Sequence, residues 1–150
     1  KPEIVYNDNP TAKLDVCLLQ MKFGLSDLSG HLFKYNLSEN PLCSTCLEFV
    51  ENECHYFCEC QTYSTSRIAL LPIINNLSVE YFAAINIPSM RNRILNKREI
   101  LSVILNGFPL ADNIQHIQRS AISTINDLNI RLHAAVIAFM YSTKRFVKFK

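Results

Sequence analysis

Cys43 to Cys60, reading CSTCLEFVENECHYFCEC, holds five of the six cysteines and one of the four histidines of the chain. The spacing Cys43-x2-Cys46-x8-His55-x4-Cys60 predicts a single zinc site. Two thiolates on a tight CxxC turn can take neighbouring corners of a tetrahedron, and a His and a Cys returning after a short loop take the other two. A site closed by four protein donors is structural, because a catalytic zinc keeps a position open for water. On a regular helix, partners stand three or four residues apart, so His55 pairs more naturally with Cys58 than with Cys60. The spacing to Cys60 therefore requires the backbone to leave the helix near Glu59, with Cys58 as the substitute ligand if it does not. Cys54 and Cys58 are then expected to pack inward. Two other readings stay open: disulfides, which suit a secreted chain, and buried thiols that bind nothing. No signal peptide is visible, and a chain starting at Lys1 is expected to have lost its true N-terminus.

Working outward, the flanks carry further marks: Leu28-Ser29-Gly30-His31-Leu32, then Asn36-Leu37-Ser38-Glu39-Asn40-Pro41-Leu42-Cys43 leading into the CxxC pair. An acidic spacer precedes Glu53-Cys54-His55-Tyr56-Phe57-Cys58-Glu59-Cys60, with Tyr63 and Arg67 downstream. In this combination the run from Leu14 to Leu70 resembles the cysteine-rich segment at the C-terminal end of non-LTR (LINE-type) retrotransposon reverse transcriptases. It departs from that family's pattern at Gln61, where proline is usual, and in carrying Cys54 beside the ligand His. The resemblance implies an upstream polymerase domain in the same polypeptide, RNA or DNA as partner, and an intracellular site of action, in the nucleus when acting.

The rest of the composition fits a folded helical domain. At 150 residues and 49% hydrophobic, the chain can bury a core and is expected to be one domain over 1–150, with N-terminal helices (9–39), a zinc segment (40–62) and a C-terminal bundle (63–150). Gly is scarce and β-branched runs are short, which favours helices. The expected fold is mainly α, a helical bundle with an embedded CCHC zinc-knuckle-like segment and a long C-terminal helix. No apolar run is long enough for a transmembrane helix, so no membrane is expected.

Helix signals place the elements. Asn9-Pro10 starts a helix with Leu14, Cys17, Leu18 and Met21 on its apolar stripe, and Gly24 ends it. Cys17 is thereby core. A short helix follows Asp27, with Leu28, Leu32 and Tyr35 on one face and His31 beside it as a packing or surface residue. Tyr63 to Leu71 reads as a helix burying Ile68 and Leu71, disturbed by Pro72. Ser78 is then expected to cap a separate helix through Ile85. Asn96 caps Lys97 to Leu105, closed by Gly107. From Asp112 the apolar positions Ile114, Ile117, Ala121, Ile125, Leu128, Leu132, Ala135, Phe139 and Phe146 suit one helix of about nine turns.

Charge divides the chain. Residues 1–90 carry five Lys/Arg against ten Asp/Glu, and residues 91–150 carry ten against three. Such asymmetry suggests a partner with a charged backbone, or simply a solvated basic face. The metal stretch has no Lys or Arg and four glutamates, Glu48, Glu51, Glu53 and Glu59. With three thiolates on Zn²⁺ it totals about −5 by side-chain charge, which repels phosphates. Nucleic-acid contact is therefore expected at Arg91, Arg93, Lys97 and Arg98, helped by Lys144, Arg145 and Lys148. Tyr56 and Phe57 are expected in the core, and replacing Glu48 and Glu51 with Gln is expected to leave affinity unchanged or slightly raised.

No catalytic signature accompanies this. The chain has no aromatic-x-Asp-Asp, no other adjacent acidic pair, no Gly-rich phosphate loop, no G-x-S-x-G and no HExxH. Nothing in the spacing supports a nucleophile pair of Cys54 or Cys58 with His116 or His133. The expected function is a non-catalytic, zinc-stabilised nucleic-acid-binding module. The alternative is a stand-alone or domesticated zinc-stabilised helical domain for protein–protein contacts.

Overall fold

The computed structural model describes residues 10–87, 94–110 and 119–147. Helix α1 (Pro10–Lys22) begins on its proline and buries Leu14, Cys17, Leu18 and Met21 at steps of three and four. Gly24, at φ 70°, ends it, and its N–H returns to the Met21 carbonyl. Cys17 is in the core, as its position on the stripe requires. Helix α2 (Ser29–Lys34) is one and a half turns long and buries His31, while Tyr35 beyond it is exposed. The metal stretch follows, with one isolated antiparallel bridge between Leu42 and Val50. The regular elements of the described residues are helices, with turns and bends between them, and there is no named strand.

Pro72 does not divide the next element. Helix α3 runs unbroken over Ser64–Ala84 with Pro72 inside it. Pro72 is on the exposed side, where the backbone bond it removes can be replaced by water. The buried stripe is Leu70, Ile74, Leu77, Ser78 and Tyr81, a phase that excludes Ile68, which is 74% exposed, and leaves Leu71 only partly buried. Ser78 is thus an interior helix residue rather than a cap. Continuous packing of this stripe along α5 outweighs the local cost of the proline.

Helix α4 (Lys97–Asn106) starts with a full capping box: the Glu99 N–H donates to the Asn96 side chain, and the Asn96 N–H to the Glu99 carboxylate. Gly107 closes it at φ 75°, and the chain is then held by Asn129, which accepts from the Phe108 N–H and donates to the Phe108 carbonyl. Helix α5 (Arg119–Thr143) is the longest. It buries Ile125, Leu128, Leu132, Val136, Phe139 and Met140 against α3, with α1 and α4 also in contact. The expected positions Ile114 and Ile117 lie outside the described residues. At the other end α5 stops three residues before Phe146, because Lys144 takes a left-handed φ of 57°. Phe146 is buried nonetheless, folded back onto Tyr56.

Tertiary pairing explains much of the charge asymmetry. Arg145 meets Glu51, Arg131 meets Glu80, Lys97 approaches Glu59 and His133 meets Asp15. Arg145, Arg131 and Lys97 of the second half thereby serve acids of the first.

Candidate metal centre

The CxxC turn is built by backbone bonds. The Cys43 N–H donates to the Phe49 carbonyl at 2.7 Å, the Leu47 N–H to the Cys43 carbonyl at 2.9 Å, and the Glu51 N–H to the Pro41 carbonyl at 2.9 Å. The turn holds Leu47 at φ 60°. Asn36 and Asn86 share that region, but asparagine tolerates it. A leucine there carries strain of roughly 1–2 kcal/mol, and Leu47 is 66% exposed, so no packing offsets it.

The second half of the site solves the spacing problem with a π turn. His55–Glu59 is π-helical, and the Cys60 N–H donates to the carbonyl of His55, five residues back, at 2.8 Å. The wider turn brings His55 and Cys60 to one side, where an α-helix would have brought Cys58. Cys60 itself is already extended. The Asn52 side chain accepts the His55 N–H at 2.8 Å and starts the turn. Arg67, from α3, donates to the carbonyls of Phe57 (2.8 Å) and Cys60 (2.9 Å), satisfying groups that the irregular turn leaves open. Behind it Tyr56 is ringed by Phe57, Tyr63, Phe139 and Phe146, and its hydroxyl meets Thr143 at 2.6 Å. Tyr56 and Phe57 are fully buried, as expected of core residues.

The ligand atoms of Cys43, Cys46, His55 and Cys60 lie within 4.8 Å of one another. Cys43 Sγ and Cys60 Sγ are 3.9 Å apart, and Cys46 Sγ is 3.4 Å from His55 Nε2. A tetrahedral zinc with Zn–S of about 2.3 Å and Zn–N of about 2.0 Å spaces its donors at about 3.5–3.8 Å. The donor set and its dimensions therefore fit a metal ion of the zinc type. His55 is buried with its Nε2 turned to Cys46. Thr45 Oγ1 lies 3.0 Å from Cys43 Sγ and 3.7 Å from Cys60 Sγ, a hydroxyl placed to donate to thiolate. Burial pushes the Cys43 thiol up, whereas at Cys60 burial is outweighed by the Thr45, Thr62 and Cys43 hydrogen bonds, and the thiol goes down. Two thiolates this close need a cation before both can carry charge.

The remaining cysteines divide differently from the inward packing expected. Cys58 packs partly against the core, but Cys54 turns to Glu59, donating to its carboxylate at 3.0 Å. Burial and Glu59 push the Cys54 thiol up to about 12, so it stays protonated. His31 is a packing residue, bonded to Ser26 and Glu53 at 2.7 Å each.

Glu51 is the residue the sequence concealed. It is fully buried, not part of a repelling acidic surface. Its carboxylate accepts from Arg145 at 2.6 and 3.0 Å and from the Ser29 N–H at 2.8 Å, and its carbonyl accepts from the Gly30 N–H. Arg145 also donates to the Asp27 carbonyl. One buried pair thus ties the start of α2, the cysteine-rich loop and the segment after α5 together. Arg145 is largely enclosed by these contacts, so it is a structural cation and not an open surface one. Glu48 and Glu59 remain at the surface, where Glu59 has Lys97 3.9 Å away. Arg91, Arg93 and Lys148 lie outside the described residues, while Lys97, Arg98 and Lys144 are exposed.

Gly30 is needed for this junction. A Cβ there would stand 2.6 Å from the Glu51 carbonyl oxygen, which is backbone and itself fixed by the turn. Gly30→Ala is expected to lower stability by about 1–3 kcal/mol, read as a shift in the denaturation midpoint at fixed zinc. An unchanged midpoint would show that the loop can yield.

No family model, curated protein or solved structure matches the chain. No described helix is long and apolar enough to cross a membrane.

Proposed function

We propose that the chain is a zinc-stabilised accessory module of a LINE-type reverse transcriptase, set at the C-terminal end of the polypeptide and holding template RNA or target DNA. It contributes no catalytic group. The observation that carries this reading is the closed Cys3His cluster, assembled from the same residues that carry the family-like motif. Four protein donors leave no position for a reacting water, so the metal is a clamp between the helices on either side.

Nucleic acid is assigned to cations of the second half of the chain, of which Lys97 stands at the edge of the metal centre. Lys97 and Arg98 occupy the first turn of α4, where positive charge opposes the helix dipole. The helix dipole gives no reason for either; Lys97 answers Glu59, and phosphate contact would account for Arg98. With Arg145 removed from the set, Lys144 supplies the support from the end of α5. Replacing Arg91, Arg93, Lys97 and Arg98 together with Ala is expected to weaken RNA and DNA binding and to flatten its salt dependence, by about one unit of slope for each phosphate-binding cation replaced. Zinc content and helicity should stay as in the parent. Equal binding by the four-Ala variant at every salt concentration would remove this placement. If neither nucleic acid binds the parent, the protein–protein reading takes over, which the exposed Leu19 and Phe23 on and after α1 favour.

A further inference from the structure

We infer that the rim of the metal centre is a docking surface for a positively charged protein segment bearing an apolar anchor. A cavity of about 630 Å³ opens beside the cluster, lined by Cys46, Glu48, Phe49, His55, Cys58 and Glu59, with Lys97 at its edge. Its size is that of a site for a peptide side chain or two, not of a packing defect. The ring of His55 is part of its wall. Next to it stand three exposed apolar residues on one turn: Leu47, Phe49 at 57% and Val50 at 47%.

Leu47 says most. A glycine would occupy its left-handed backbone without strain, and its side chain stays 66% exposed. A strained residue that the fold does not need points to a contact outside it. Charge selects the partner's chemistry. Glu48 and Glu59 face the cavity, the zinc-loaded Cys3His site is itself anionic, and Lys97 already lies against Glu59. Such a rim repels phosphates, so nucleic acid is the wrong ligand and a Lys- or Arg-bearing protein segment the right one. The inference rests on the metal centre and not on the nucleic-acid reading.

The test uses the zinc-loaded full chain and three labelled probes: a short helical peptide with Leu on one face and Lys on the other, its Glu-for-Lys counterpart, and single-stranded RNA. The Lys peptide should bind and shift the amide signals of Leu47 and Phe49. Leu47→Gly and Glu48→Lys, made separately, should each weaken it roughly tenfold, as removal of one anchor or one charge partner should. Both variants should keep their zinc; Glu48→Lys should keep its unfolding midpoint, and Leu47→Gly should match or exceed the parent's. The proposal is overturned if the Glu peptide shifts the same signals, if RNA displaces the bound Lys peptide, if the Lys peptide does not bind, or if both variants bind it as the parent does. It is equally overturned if Leu47→Gly loses zinc or stability, since the side chain would then serve the fold. Equal RNA binding by the four-Ala variant, which removes the nucleic-acid placement, leaves these outcomes unaffected.

Discussion

Cys43→Ser is expected to lose stoichiometric zinc and to unfold the segment between Pro41 and Tyr63, whereas Cys17→Ser, Cys54→Ser and Cys58→Ser keep the metal. The reason is that nothing else holds four polar donors together in the core. Cys43, Cys60 and His55 are all nearly or fully buried, and their sulfur and nitrogen atoms face one another. Structural zinc in small motifs carries an apparent binding free energy of roughly 10–16 kcal/mol at neutral pH, and that energy is folding energy. With free zinc a thousandfold above Kd the parent gains about 4 kcal/mol that the variant cannot. Zinc quantification alongside denaturation, with and without a chelator, reads both effects. Full zinc content in Cys43→Ser would sink the ligand assignment, and loss of zinc in Cys58→Ser would restore the α-helical spacing in place of the π turn.

Arg145→Met is expected to be the most damaging substitution away from the ligands, at roughly 3–5 kcal/mol, because it strands a buried carboxylate. Glu51 is 0% exposed and Arg145 supplies both of its side-chain ion-pair contacts. In the parent, burial pushes the Glu51 carboxyl up, but hydrogen bonds from Arg145 and Ser29 outweigh it and hold the group below its ordinary value of 4.5. A depressed folded pKa means the contribution is fully present above 4.5 and is lost as pH falls through the lower folded value. In Arg145→Met burial dominates and the sign reverses: the folded carboxyl titrates above its unfolded value, so the penalty is greatest at neutral pH and shrinks as pH is lowered. Denaturation of both proteins at saturating zinc from neutral to mildly acidic pH measures the gap. A gap that is small, or that widens on acidification, would contradict a buried charge pair. The double variant Glu51→Gln with Arg145→Met should recover part of the loss, since two neutral groups replace one unpaired charge. The same geometry means that Glu51→Gln is no neutral probe of nucleic-acid affinity.

Much of this was legible in the residues. The metal ligands stood out because thiols and an imidazole at such spacing have few other uses, and α1, α4 and the core of α5 followed from apolar steps of three and four with Pro, Asn and Gly at their ends. The spacing favoured Cys60 over Cys58, and the cluster bears that out, but the turn that realises it was not legible. It is a π turn whose open carbonyls are satisfied by Arg67 from another helix. Likewise the local signal of Pro72 and Ser78 was overridden by the extended packing of α3 along α5, an energy that no window of sequence contains. Glu51 reads as one more surface acid, and Arg145 as one more basic tail residue, until the fold brings positions 94 residues apart within 2.6 Å. Periodicity and ligand spacing are local properties, and the sequence alone determined them. Which charges are paired, and which acid is buried, is decided by long-range packing, so only the tertiary structure shows it.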